Sequence, residues 1–404
     1  MSAALSGVKA VEFGGYAAGP AINKYLANHG ATVIRVESGT RPDGFRTHYP
    51  PFKENRTGLN RSGCFAIFND GKLSVTVNLK TPAGIELAKR LVAWADVVIE
   101  NFAPGTMRRL GLDYESLRAV NPDVIMLSTC NHGQTGPSAH HAGFGSQLSS
   151  LAGFTHFTGE RGGPPLILYG PYIDFVAVAF GFVAIVAALD HLRRTGQGCY
   201  IDFSQHEAGL QFLAPEILNA RVNGRVDTRQ GNRAPAAAPH GAFPCRGEDR
   251  WCTLSVWSDR EWERLVEIMG SPAWAKEARF STLVGRKAHE AELEQRLSEW
   301  TRQFTAEELM AKLQGAGVRA GVINGMPELF TDPQLRHRGL WWSLAHAEIG
   351  EHHAKAPPFI LSRTPARPGR PAPCLGEHNE MVLREILGLS DDEIRALEAQ
   401  GVIA

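Results

Sequence analysis

The sequence predicts an α/β protein: a Rossmann-like large domain with a smaller α+β domain. Three observations carry that expectation. Short apolar strands alternate with helical segments over roughly the first 200 residues, the pattern of a mostly parallel sheet. A stretch rich in Gly, Arg, Ala and Pro, 223–239, interrupts the pattern, and a different mix of one strand and three helices follows it. At 404 residues the chain also exceeds what one simple core organises. The expected division is a large α/β domain over 1–200, a linker helix and loop over 201–230, a small α+β domain over 231–330, and a linker with a C-terminal part, 331–404, returning to the large domain.

The elements follow in order. Residues 8–13 (VKAVEF) read as a strand, 14–20 as a glycine turn, 21–28 as a helix and 31–36 (ATVIRV) as a second strand, together a βαβ unit. The Pro-, Gly- and Arg-rich residues 40–63 read as a surface excursion. Strands are expected at 73–79, 96–100 and 123–128, with helices at 81–95, where Pro82 suits a first turn, and at 114–120. Residues 131–173 form a long Gly-, Pro- and His-rich loop, a length that usually serves function.

Next comes the uncharged run Phe175–Leu189, headed by Asp174 and closed by Arg193, Arg194 and Gly196. It reads as a buried helix with Asp174 at its N-cap. It is shorter than the roughly 20 residues needed to cross a bilayer. A strand at 200–203 and a helix at 205–222 follow. The small domain offers a strand at 251–256 and helices at 259–269, 290–303 and 306–315, the last with a Thr305-x-x-Glu308 capping box. Helices at 380–387 and 391–399 end the chain.

Composition limits the function classes. Lys+Arg and Asp+Glu both number 42, which disfavours a bulk nucleic-acid binder. Six scattered cysteines without a CxxC pair, and a start lacking a basic segment before an apolar one, lead to the expectation of a cytoplasmic protein with reduced thiols and no membrane partner. Gly14-Gly15-x-x-x-Gly19 misses the dinucleotide spacing G-x-G-x-x-G, although Glu37 stands where an acid could hold a ribose. Gly143-Phe144-Gly145-Ser146-Gln147 lacks the last glycine of a nucleophile elbow. The pairs His140-His141 and His352-His353 are adjacent, so no metal site is predicted. Arg35, Arg41, Lys72, Lys80, Arg108 and Arg109 lie near element ends; each is either solvated surface charge or part of a pocket for a polyanion.

Several long segments, in one order, resemble the family III CoA-transferases. They are VEFGGYAAGPAINKYLANHGATVIRVE (11–37), FNDGKLSVTVNLKTPAG (68–84), ADVVIENFAPGTMRRLGLDYESLRAVNPDVIMLS (95–128), GQTGP (133–137), the run from Asp174 through TGQGCYIDFSQHEA (195–208), TDPQLRHRG (331–339) and LGEHN (375–379). Within the family, GFGSQLSSLAGFTHFTG, YGPYIDF and GNRAPAAAPHGAFPCRGEDRWC are similar to benzylsuccinate CoA-transferase subunits.

The resemblance implies that Asp174 is the catalytic nucleophile, forming an aspartyl-CoA thioester while CoA moves from an acyl-CoA, such as succinyl-CoA, to a carboxylic acid such as benzylsuccinate. It implies CoA contacts at Tyr16, Ala17, Ala18, Lys72, Arg109 and Leu110. Ser38 stands where relatives often carry a basic residue, with Arg41 as its substitute, and Leu73 stands where many carry Arg. Asn131 and His132, also implied as CoA contacts, replace the usual glycine and aromatic residue before GQTGP. The lid and substrate wall would come from Gly231, Asn232, Arg233, Phe144, Gly145 and Tyr172. CoA thioesters would be substrates, with no tightly bound cofactor. An interlocked dimer is implied, either a homodimer or a heteromer with a related subunit. Two other readings stay open: an acyl-CoA racemase or epimerase of the same fold, using His132 beside Asp174, and a nucleotide-dependent dehydrogenase.

Overall fold

A computed structural model describes residues 3–403. Six strands form one parallel sheet: β1 (Lys9–Phe13), β2 (Thr32–Glu37), β3 (Leu73–Thr76), β4 (Val97–Glu100), β5 (Ile125–Cys130) and β6 (Tyr200–Ser204). Their spatial order is β3-β2-β1-β4-β5-β6. The order reverses between β1 and β4, and that switch point is where an open α/β sheet presents a crevice to ligands.

Strand periodicity explains the two layers. Val11, Ile34, Val75, Val98 and Met126 point to one face, where Leu87 and Leu91 of the helix Pro82–Trp94 cover them together with Val382, Leu383 and Ile394 from the C-terminal helices. The alternate residues Ala10, Val33, Val97, Ile99, Ile125 and Leu127 point to the other face. There they meet Ile22 and Leu26 of α1 (Ala18–Asn28) and Val178 and Ile185 of a long helix, Tyr172–Thr195. With both faces covered, the strands read as apolar runs.

Four expectations are corrected. Residues 40–63 are not merely a surface excursion. They lead through α2 (Gly44–Thr47) toward α3 (Gly63–Asn69), and Phe45, Arg46 and Phe65 are buried. Arg46 is held there by both Glu37 carboxylate oxygens, each at 2.8 Å, and by the carbonyls of Leu59 and Pro373. The helix expected over 205–222 is broken into Gln205–Leu210 and Ala214–Asn223 by a 3-10 turn, Gln211–Leu213.

The long helix starts at Tyr172, with Pro171 at its cap, so Asp174 lies in its first turn and does not cap it. Nor is that helix buried all round. Gly181 and Ile185 face the core, while Phe180 and Val183 are exposed. It is long and apolar enough to span a membrane by length and composition, beyond the run first read from the sequence.

The chain divides into two compact units. The first comprises the residues up to Phe154, Ile167–Gly224 and the residues from Pro333 onward. The second comprises Thr155–Leu166 and Arg225–Asp332. Its three-stranded antiparallel sheet, His240–Pro244, Trp251–Ser255 and Arg319–Val322, packs on helices that bury Trp262, Leu265, Leu297 and Leu309. Thr305 and Glu308 form the expected reciprocal cap there.

Candidate active site

The carboxyl ends of β1 and β4 are tied together by one side chain. Asn101 accepts from the Gly15 amide at 3.0 Å and donates to the Gly15 carbonyl at 2.7 Å. Only glycine suits position 14: its φ is +114°, and a Cβ there would lie 2.0 Å from Asn101 Oδ1. The next residue, Tyr16, takes a left-handed conformation at φ +61°, uncommon outside glycine. Its amide donates to Asp43, and its ring meets Phe45 and Phe144 edge-on at 5.4 and 5.9 Å. Such a strained residue, fixed by its surroundings, often marks a ligand site.

A cavity of about 340 Å³ opens at this switch point. Tyr16, Ala17 and Ala18 line it from the β1 side, Asn101 and Phe102 from β4, Asn131 and Cys130 from β5, and Asp174 from the long helix. Asp174 is partly buried. Desolvation pushes its carboxyl up to about 7, opposed only by a hydrogen bond from the Gly145 amide. Position 145 also requires glycine. A Cβ there would come within 2.7 Å of Asp174 Cγ and 2.5 Å of Pro171 Cβ. The close approach delivers a backbone N–H to the carboxyl.

The other residues singled out in the sequence distribute unevenly. Phe144 and Asn131 line the same cavity, and Asn131 donates to the Gly143 carbonyl at 3.0 Å. His132 lines a neighbouring cavity of about 550 Å³. Arg41 is exposed and its charge acts on Tyr16. Arg109 is exposed and donates to Thr106 at 2.8 Å, while Leu110 packs against the sheet core. Tyr172 meets Phe154 edge-on at 5.4 Å.

Lys72 does not line the Asp174 cavity. It is fully buried, and its ammonium donates to Glu12 at 2.7 Å, to the Pro20 carbonyl at 2.8 Å and to Asn69 at 2.8 Å. Burial lowers it to about 8 against the pull of Glu12. All three of these hydrogen bonds are made inside the fold, beneath β1. Gly231, Asn232 and Arg233 belong to the second unit. Asn232 and Arg233 line a polar cavity there, and Arg233 forms a two-point pair with Glu294 at 2.9 and 2.7 Å.

Sequence reasoning missed Asn101, His140, His141 and Gln205, all of which line the Asp174 cavity. The signal for Asn101 was present: NFAPG follows directly on β4, at the switch point. His140 and His141 were considered only as metal ligands.

The model of CoA-transferase family III matches residues 5–379. The chain belongs to that family. It is 38% identical over 383 residues to the succinate–glutarate CoA-transferase of Agrobacterium fabrum, covering 95% of each chain. It is 33% identical to the succinyl-CoA–D-citramalate CoA-transferase of Chloroflexus aurantiacus, covering 99% of this chain and 98% of that one. Among solved structures, a CAIB/BAIF family protein from Brucella suis superposes with a TM-score of 0.87 at 34% identity, covering 96% of this chain and all of the other. The protein is therefore a family III CoA-transferase acting on CoA thioesters.

The dehydrogenase alternative fails for a physical reason as well. Glu37, the acid it would place on a ribose, is buried against Arg46 and held down to about 2 by Arg46 and Arg35 in spite of its burial.

Proposed function

We propose that this family III CoA-transferase moves CoA from succinyl-CoA to a second dicarboxylate through an aspartyl-CoA thioester on Asp174. One observation carries the role of Asp174: it is the carboxyl at the switch-point cavity, desolvated and touched by a single backbone donor. The names of the similar transferases support the pairing of a succinyl donor with a dicarboxylate acceptor.

The chemistry balances without an outside reactant. The Asp174 carboxylate attacks the donor thioester carbonyl, the C–S bond breaks, and CoA leaves as a thiolate. The product is a mixed anhydride. The thiolate then attacks the aspartyl carbonyl, the C–O bond to the donor acyl group breaks, and succinate departs, leaving the aspartyl-CoA thioester. The acceptor carboxylate runs the two steps in reverse. Desolvation makes the carboxylate a better nucleophile than it is in water. The Gly145 amide, already aimed at the Asp174 carboxyl, stabilises the oxyanion formed at that carbon.

Tyr16, Ala17 and Ala18 would flank CoA, with Arg41 and Arg109 reaching its phosphates from the surface. Gly231–Arg233 would serve as the lid. Phe144 and Tyr16 give the cavity an aromatic rim, which suits a substituted acceptor such as benzylsuccinate alongside glutarate. The assembly would be an interlocked dimer, of two copies or with a related subunit.

The test is transfer from succinyl-CoA to glutarate, citramalate and benzylsuccinate, followed by chromatography of the CoA esters. Formation of at least one new ester supports the reading; failure with every dicarboxylate contradicts it.

A further inference from the structure

Three histidines gather beside the Asp174 cavity. His132 follows β5, His206 follows β6, and His141 lies in the loop between them. The His132 ring stands edge-on to His206 at 5.2 Å and to His141 at 6.3 Å. The His206 Nε2 atom is buried and without a hydrogen-bond partner. The cavity lined by His132 and the cavity lined by Asp174 share the walls Asn131, His141, Ala142 and Gly143. Among the described residues, neither lining contains an arginine or a lysine.

A dicarboxylate presents two anions. One must meet the reacting centre, and the other must be paired or remain in water. We propose that His132 and His141, with His206 packed against His132, form the pocket for the distal carboxylate of the acceptor and so select dicarboxylates over monocarboxylates. This inference rests on the transferase reading above and adds to it a specificity determinant.

Imidazoles suit the task in a particular way. The titratable groups acting on His132 are His206 from the helix after β6 and His141 from its own loop, and both oppose its protonation, as does burial. Of the carboxylates on the neighbouring elements, Asp202 of β6 accepts from the Gln134 amide at 2.8 Å, and Glu207 follows His206 in the first turn of its helix. At rest burial and these neighbours therefore favour the neutral His132 ring. An arriving carboxylate reverses that balance and draws a proton into the cluster. Binding should thus take up protons, and the KM for a dicarboxylate should rise as pH rises through the histidine range.

The experiment compares glutarate with pentanoate as acceptors, using succinyl-CoA as the donor in both assays so that the donor's own free carboxylate cancels in the ratio. The wild type should favour glutarate. His132→Gln and His141→Gln should each lower the glutarate-to-pentanoate ratio of kcat/KM at least tenfold, mainly through the KM for glutarate, and His132→Gln should flatten the dependence of that KM on pH. Calorimetry of glutarate binding in buffers of different ionisation enthalpy should show proton uptake by the wild type and less by the variant. An unchanged ratio in both variants would overturn the inference. A wild type that accepts glutarate and pentanoate equally would overturn it while leaving the transferase reading intact. A wild type that transfers CoA to no dicarboxylate would sink the transferase reading itself.

Discussion

At the scale of single residues, Asp174 and Gly145 act as a pair. Burial lifts the Asp174 carboxyl from an ordinary value of 3.8 to about 7. Between those two pH values the folded chain binds more protons than the unfolded chain, so this group's contribution to stability is greatest below about pH 4 and declines as pH rises toward 7. Asp174→Asn removes the penalty. The variant should melt higher than the wild type at pH 8, by a margin on the order of a few kcal/mol, and the margin should vanish near pH 4. Gly145→Ala tests the partner. Its methyl group would have to push Asp174 or Pro171 aside, and displacing a nucleophile by about 1 Å can cost on the order of 100-fold in rate. The transfer rate should fall by at least tenfold, while thermal melting shows the fold intact.

At the scale of elements, the long helix Tyr172–Thr195 joins the site to the core. Gly181 lets it lie close on α1. A Cβ at that position would come within 2.4 Å of Ile22 Cδ1, and Ile22 is fully buried. Gly181→Val should therefore destabilise the chain by about 1–3 kcal/mol, seen as a lower melting temperature. This helix also shows what the sequence made legible. Its apolar run and its C-terminal Arg193, Arg194 and Gly196 marked its existence and its end. Its start was misread because the Asp174 carboxyl, which looked like a cap, takes its hydrogen bond from Gly145, in a contact that no local pattern reveals. The strands were readable because both sheet faces are covered and every residue of β3, β4 and β5 is buried. Phe45, Arg46 and Phe65 were not readable as core, since the polar stretch around them is drawn inward by the Arg46–Glu37 pair. The burial of Lys72 was not legible for the same reason: its partner Glu12 lies 60 residues away.

At the scale of the whole molecule, the first unit leaves Phe180, Val183, Ile217, Leu218 and Val222 exposed on two of its helices. Side chains of this kind gathered on one unit favour a covering partner. Sedimentation equilibrium should give about twice the 44.0 kDa of one chain at micromolar concentration; a single 44.0 kDa species would contradict the dimer. The order β3-β2-β1-β4-β5-β6 unites the scales, because it brings Tyr16, Asn101 and Asp174 to one crevice although they are far apart in sequence. The central claim is that CoA passes through Asp174. The most direct measurement is to mix the protein with succinyl-CoA, trap the thioester with borohydride or hydroxylamine, and map the modified peptide by mass spectrometry. A modification at Asp174 that is absent from Asp174→Ala, together with loss of transfer in that variant, is the predicted result. Full transfer by Asp174→Ala, or a modification on another residue, would contradict it.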